Sequence, residues 1–142
     1  MTASDTAVQL GEILHLVVAN PLGVIATTSA EGPEAALVSV APTPAGELIV
    51  KTRADSRKVA NLERDPRVAV VIGCSGGSSL QIEGTAAVVT DAETDEEYHR
   101  RFSRGVRGGE QVYLRIRPDW VRTCDLATAP PTVREGPFPI PD

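Results

Sequence analysis

The segment Val50-Lys51-Thr52-Arg53-Ala54-Asp55-Ser56-Arg57-Lys58 runs from the end of an apolar strand into the first turn of a short helix. The start of a helix carries a partial positive charge, so Arg57 and Lys58 are unfavourable there unless an anion compensates them. Backbone N–H groups of the first turn, the hydroxyls of Thr52 and Ser56 and these two cations form a donor set suited to phosphate. The segment therefore predicts a phosphate-binding corner.

A solvated surface is the alternative explanation for the same cations. Charged side chains are common at helix ends, and Arg57 and Lys58 could pair with Asp55, Glu63 or Asp65 nearby in the sequence. Under this hypothesis the two cations would bind no ligand. The sequence leaves both hypotheses open.

On both sides of this corner, apolar and polar residues alternate with a period of two, which is typical of β-strands. Turn residues separate the alternating segments, as at Gly32-Pro33 and Ser75-Gly76-Gly77. Because most of the connections are short turns and not helical crossovers, an antiparallel sheet closed into a small barrel is favoured over a doubly wound sheet. Six strands are expected, at 22–28, 35–41, 47–52, 67–74, 79–89 and 110–117.

Three helices are expected to flank the strands. The first follows a capping box formed by Thr6 and Gln9 and ends at Asn20-Pro21. The second spans 56–65, and the third spans 94–103 after a capping box that begins at Thr94. In the third helix, two aromatic residues four positions apart, Tyr98 and Phe102, are expected to pair.

The last sixteen residues differ in composition from the rest of the chain. Residues 1–126 are expected to form one domain, whereas residues 127–142 contain five prolines. Proline cannot donate to a β-ladder, so this tail is expected to be a surface strap or disordered, without a regular ladder.

Bulk composition excludes several classes of function. The 142 residues carry a formal net charge of −5 and few aromatic side chains, which argues against a nucleic-acid partner. No apolar run is long enough to cross a membrane, and the N-terminus lacks the basic start of a signal peptide. We therefore expect a cytoplasmic protein that binds neither nucleic acid nor membrane.

Cysteine and histidine are sparse. Cys74 and Cys124 are fifty positions apart and are interpreted as small buried residues. His15 and His99, the only histidines, are interpreted as surface or packing residues. No metal site and no catalytic triad is expected.

Five segments of the chain carry a resemblance to a known family: 47–52, 56–62, 65–69, 80–86 and 113–122. They resemble the pyridoxamine 5'-phosphate oxidase-like family of FMN-binding split barrels. The segments follow the order of the family, and the resemblance covers about residues 22 to 125, which is more specific than any single motif. The chain is identified as a member of this family, and the resemblance implies a mainly β (α+β) fold: a six-stranded antiparallel split β-barrel with flanking short helices.

The resemblance also implies a homodimer with FMN at the subunit interface. The phosphate would lie at the strand-end Thr and the Ser-Arg-Lys turn, and the flavin ring would lie against the backbone of the second strand. The implied cofactor-binding residues are Val38, Ser39, Lys51, Thr52, Ser56, Arg57, Lys58 and Ser79. Trp120 or Arg122 is expected to approach this site from the partner subunit.

Departures from the family narrow the expected activity. Pyridoxamine phosphate oxidases carry a basic residue at each end of the second strand and an Arg-x-His-Asp element near the C-terminus. Here Ala35 and Val40 occupy the former positions, and residues 122–125 read Arg-Thr-Cys-Asp, without histidine. Oxidation of vitamin B6 is therefore not expected.

The expected function is that of an FMN-dependent oxidoreductase acting on an unidentified small molecule. The flavin would transfer hydride or electrons, so no side chain is required as a catalytic base. The deazaflavin F420 is the alternative cofactor, with its phosphate held by the same Arg57 and Lys58. A non-catalytic, stress-related flavin-binding protein is the alternative from another functional class, because a fold does not fix a function.

Overall fold

A computed structural model describes residues 7–105 and 108–140 of the chain. In these residues three α-helices and a short 3-10 turn at Ser75–Gly77 accompany eight strands. The helices are α1 (Leu10–Ala19), α2 (Arg57–Arg64) and α3 (Ala92–His99). The strands are β1 (Leu22–Ser29), β2 (Gly32–Ser39), β3 (Ala41–Pro42), β4 (Leu48–Arg53), β5 (Arg67–Gly73), β6 (Ser78–Val89), β7 (Gln111–Asp125) and β8 (Thr132–Pro137).

The strands form one antiparallel sheet in the order β2-β1-β5-β6-β7-β4-β3, with β8 paired to β7. The two end strands of this order, β2 and β3, are consecutive in the chain and are separated only by Val40. The Val40 N–H donates to Pro21 O at 2.8 Å, which extends the β1–β2 pairing by one residue before the chain enters β3. The sheet therefore curls into a split barrel, as expected, whose opening lies between β2 and β4.

All six expected strand segments are strands, but the count of six is too low. The second segment breaks at Val40 into β2 and β3, and the last continues beyond Arg117 to Asp125. The alternation that predicted them matches the burial, which is clearest in β6, where buried and exposed residues alternate from Leu80 to Ala87.

The expectation of a tail without a regular ladder is wrong. Residues of β8 pair with β7 in a regular antiparallel register from Trp120↔Pro137 to Asp125↔Thr132. Proline is tolerated because β8 lies at an edge of the sheet, where one side of the strand needs no partner, and only its last residue is a proline. Phe138 then turns into the core, and Arg134 pairs with Glu12 of α1.

The starts of two helices differ from the expected capping boxes. Helix α1 begins at Leu10 with Gln9 as its N-cap residue, and Thr6 lies outside the described residues. Helix α3 begins two residues early, because Asp91 caps it by accepting from the Thr94 N–H at 3.0 Å, and it ends at His99. Aspartate is as good an N-cap as threonine, so either residue could have started the helix.

Strand β4 is buried on both faces, and α2 begins after a short turn at its end. Leu48 and Val50 contribute to the main core inside the barrel, together with Val59 and Leu62 of α2. Ile49 points to the opposite face, where it packs under α3 with Tyr98 and Tyr113. The expected pairing of Tyr98 with Phe102 is confirmed, with ring centroids 4.9 Å apart.

No helix in the described ranges is long and apolar enough to cross a membrane. Cys74 and Cys124 are free thiols and are half-buried, not fully buried as expected. Burial raises the pKa of the Cys74 thiol above its ordinary value.

Candidate functional site

A groove opens where the barrel is split. Strand β2 ends the sheet and pairs only with β1, and β4 pairs with β3 only at Ile49 and Leu48. The β2 edge and residues 50–53 of β4 thus have no ladder partner on the groove side within the described chain. Unpaired backbone N–H and C=O groups need other partners, such as a ligand or water.

The groove has a volume of about 410 Å³. It combines an apolar wall with hydroxyl and cationic side chains, as ligand pockets usually do. Its lining residues are Leu22, Leu37, Val38, Ser39, Lys51, Thr52, Arg53, Ser56, Lys58 and Tyr98. Lys51 and Lys58 are the only lysines of the chain, so both lysines face the same groove.

The structure brings together six of the eight residues expected at the cofactor site. Val38, Ser39, Lys51, Thr52, Ser56 and Lys58 all line the groove. Arg57 and Ser79 do not line it, for different reasons that are described below.

The corner between β4 and α2 is built from hydroxyl groups. The Thr52 hydroxyl donates to the Ser56 Oγ at 3.2 Å, and Ser56 is the N-cap residue of α2. The Ser56 side chain accepts no hydrogen bond from the helix, and the first turn has no acidic residue. The first-turn N–H groups therefore lack the side-chain acceptor that usually satisfies them, which suits this corner to an external anion.

Lys58 supplies a positive charge at this corner. Its side chain is half-buried, and no acidic side chain of the described residues pairs with it. Burial, followed by repulsion from Arg57, lowers the pKa of Lys58. A bound anion would offset both effects, because it stabilises the charged amine.

Lys51 lies on the face of β4 opposite to Thr52, at the edge of the same groove, and its amine is held by His99. Its Nζ is 3.0 Å from His99 Nε2, and His99 Nδ1 is 2.9 Å from the Phe102 carbonyl oxygen. Because a carbonyl only accepts, Nδ1 carries the proton and Nε2 accepts from Lys51. From the sequence, His99 was expected to be a surface or packing residue. Its contact with Lys51 was not predicted, because α3 and β4 are distant in the chain.

Behind Lys51, a second polar network ties α3 to β7. The Tyr113 hydroxyl donates to the Asp95 carboxylate, which also pairs with Arg104 at 2.8 Å. These hydrogen bonds, from Arg104 first and then Tyr113, lower the pKa of Asp95 to about 2. Burial and the Asp95 carboxylate raise the pKa of Tyr113. The wall that carries Lys51 is thus fixed by neighbours that keep their charge states near neutral pH.

Arg57 points away from the groove. Its Nη1 lies 2.8 Å from Glu34 Oε2 of β2, and the pair borders a separate small cavity of about 90 Å³. The expected surface partners Asp55, Glu63 and Asp65 are not used, since Asp55 binds Arg53 instead. Glu34 was missed because it is more than twenty positions away and becomes a neighbour only when β2 packs beside α2.

Ser79 lies on the outer face of the sheet, opposite Gly73 and Cys124. On that face three apolar residues of neighbouring strands form a continuous row in register: Leu37, Val24 and Val71. Their exposed fractions are 68%, 40% and 41%. Such a row of exposed apolar side chains is unusual for a sheet that faces only water.

Neither Trp120 nor Arg122 lines the groove of its own chain. Both are half-buried on β7, and Arg122 lies 3.8 Å from Glu135 of β8. Their expected contact with a partner's site stays a prediction.

Comparisons with known proteins agree with this architecture. The structure of a pyridoxamine 5'-phosphate oxidase-related, FMN-binding protein from Nostoc punctiforme matches with a TM-score of 0.67 and 12% identity, over 91% of this chain and 96% of that one. A structure described as F420 reductase matches with a TM-score of 0.63 and 18% identity, over 75% and 93%. General Stress Protein 26 from Bacillus anthracis matches with a TM-score of 0.68 and 21% identity, over 80% and 92%.

At these identities the solved structures support the fold alone, and no curated protein matches the chain. The family itself is shown by sequence, because a family model described as pyridoxamine 5'-phosphate oxidase matches residues 10–125. The chain therefore belongs to the pyridoxamine 5'-phosphate oxidase family of flavin-binding split barrels.

Proposed function

We propose that the protein binds FMN in the groove between β2 and β4 and serves as a flavin-dependent oxidoreductase. The observation that carries the proposal is the convergence of both lysines, two hydroxyls and two unpaired strand edges on one groove. The phosphate would lie at Thr52, Ser56 and Lys58, where the helix start offers N–H groups. The flavin ring would lie along the free edge of β2, at Val38 and Ser39.

The groove residues fit such a cofactor in size and chemistry. A volume of about 410 Å³ falls within the range of small-molecule pockets, roughly 300–1,000 Å³. Leu22, Leu37 and Tyr98 supply an apolar wall for a planar ring, and the hydroxyls and Lys58 supply the polar end. When bound, a flavin supplies hydride or electron transfer, and the side chains bind, orient and shield it from water. The substrate is proposed to be a small molecule.

A homodimer is part of this proposal. The row Leu37, Val24 and Val71 would be covered by a second copy of the chain across a two-fold axis, which creates two equivalent sites. Ser79 shares the outer face with this row, so it would reach the site of the partner and not its own. Trp120 and Arg122 are proposed to contribute in the same way.

The proposal includes a cytoplasmic location. The thiols of Cys74 and Cys124 are free, as is usual in a reducing compartment.

The deazaflavin F420 is a second candidate cofactor, favoured by one observation. Its phosphate is a diester with a single negative charge, and the pairing of Arg57 with Glu34 leaves Lys58 as the cation at the phosphate corner without an acidic partner in the described chain. A non-catalytic flavin-binding role would use the same groove.

Absorbance and mass spectra of the ligand that copurifies with the protein would test the proposal. We expect a flavin spectrum and the mass of FMN, and the mass of the deazaflavin would select the second candidate. Turnover of NADH or NADPH with an electron acceptor would then separate an oxidoreductase from a flavin-binding protein. A protein that copurifies with neither cofactor and takes up neither on addition would refute the proposal.

A further inference from the structure

Glu34 of β2 contacts α2 through both of its carboxylate oxygens. One carboxylate oxygen accepts from Asn61 Nδ2 at 2.6 Å, and the other lies 2.8 Å from Arg57 Nη1. The same Asn61 amide donates to the Thr27 hydroxyl at 3.0 Å. A chain of contacts thus runs from Thr27 of β1 through Asn61 of α2 and Glu34 of β2 to the guanidinium of Arg57.

The two partners of this ion pair differ in freedom. Asn61 and Thr27 are only 7% and 3% exposed, so they fix the Glu34 carboxylate, whose side chain is 21% exposed. The Arg57 side chain is 80% exposed. Because an exposed arginine can change rotamer at little cost and a carboxylate held by buried groups cannot, Arg57 is the partner that can leave.

Arg57 adjoins the groove through its neighbour Lys58. Lys58 borders both the groove and the small cavity beside Glu34, so the two spaces share one wall. Arg53, the remaining arginine of this corner, is bound by the Asp55 carboxylate through two hydrogen bonds of 2.9 Å. Four cations lie in this region: Lys51, Arg53, Arg57 and Lys58. Carboxylates neutralise the two arginines, so a phosphate at the corner meets less positive charge than the sequence indicates.

We propose that Glu34 is a specificity-determining residue of this site: it holds Arg57 away from the phosphate corner and so weakens the binding of a doubly charged phosphomonoester more than that of a singly charged phosphodiester. The inference rests on the proposed flavin site and adds a residue that sets how strongly the site responds to the charge of the phosphate. It explains why Arg57, a cation expected at the phosphate corner, lies outside the groove. Glu34 acts through Arg57 and is a positioning residue.

The test compares three flavins on three proteins by quenching of flavin fluorescence at low salt. The probes are riboflavin, FMN and riboflavin 4',5'-cyclic phosphate, which share one ring and carry no phosphate, a monoester and a diester. The proteins are the wild type, Glu34→Gln and Glu31→Gln. The amide introduced by Glu34→Gln keeps a carbonyl acceptor for Asn61. Glu31 is an exposed residue of the β1–β2 turn that makes no contact with Arg57, so its variant is a charge-matched control.

In Glu34→Gln we expect FMN to bind about fivefold more tightly, since release of an exposed ion pair is worth about that factor. The cyclic phosphate should gain about twofold at most, and riboflavin should not change. Glu31→Gln should leave the binding of all three flavins as in the wild type. Unchanged or weaker FMN binding in Glu34→Gln would overturn the inference, whereas equal wild-type affinity for FMN and riboflavin would overturn the proposed phosphate site itself.

A second variant keeps the inference testable should Glu34→Gln fold poorly. Arg57→Met removes an exposed side chain and should change wild-type FMN affinity by less than about threefold, because Glu34 already holds Arg57 aside. A loss as large as that of a Lys58 variant would show that Arg57 binds the phosphate directly, and would overturn the inference.

Discussion

Replacing Lys58 with methionine should weaken FMN binding while leaving riboflavin binding unchanged. Methionine preserves most of the half-buried aliphatic stem and removes only the charge. A charge-assisted hydrogen bond contributes about 1.5–3 kcal/mol, which corresponds to roughly a 10- to 150-fold loss of affinity. Lys58 should reach this range, because no acidic side chain of the described residues competes for it.

The free protein should respond in the opposite direction. Burial and Arg57 lower the pKa of Lys58, so its charged form is less stable in the folded chain than in the unfolded one. It also lies in the first turn of α2, where the helix dipole is unfavourable to a cation. Lys58→Met should therefore keep or slightly raise the melting temperature of the cofactor-free protein.

Fluorescence-quenching titrations with FMN and riboflavin, together with thermal melts, would measure both effects. Arg101→Met is the matched control, since Arg101 is exposed beyond the end of α3 and outside the groove. Equal losses of FMN and riboflavin affinity, or a large fall in melting temperature, would refute the reasoning, because Lys58 would then support the fold and not the phosphate.

Three further predictions concern assembly and stability. Sedimentation should give about twice the 15.0 kDa chain mass, and Leu37→Glu should give monomers; a monomeric wild type would refute the interface. The pKa of Asp95 falls from 3.8 to about 2 on folding, so its stabilising effect is present above about pH 4 and is lost as the pH falls through 2. Asp95→Asn should thus cost up to about 2 kcal/mol at pH 7, less screening at the exposed Arg104, and should flatten acid unfolding between pH 4 and 2; an unaltered acid transition would contradict this. Phe138→Ala should cost about 3 kcal/mol in urea unfolding, because the ring is 7% exposed in the core, whereas a dispensable tail would give less than about 0.5 kcal/mol.

Local patterns predicted the elements well. Alternation of apolar residues located all six expected strand segments, and turn residues marked most of their ends. The N-cap of α2 at Ser56 and the core residues Val59 and Leu62 also followed from sequence, because a cap residue and helical spacing are local signals.

Features that depend on the folded sheet were missed. β8 forms because β7 is long enough to offer an edge to the tail. The proline content of the tail predicted the opposite, that it would form no regular ladder. The contacts of Arg57 with Glu34 and of Lys51 with His99 join elements that are far apart in the chain. The sequence identified the residue types of the groove, but only packing shows which cations have acidic partners.

The central claim is that the groove recognises a flavin through its phosphate, and the affinity of the wild-type protein for FMN relative to riboflavin tests it most directly. The two ligands share the ring and the ribityl chain, so their difference isolates the corner of Thr52, Ser56 and Lys58. We predict that FMN binds at least about tenfold more tightly, the effect of one charge-assisted hydrogen bond. Equal affinity for the two ligands, or binding of neither, would contradict the account.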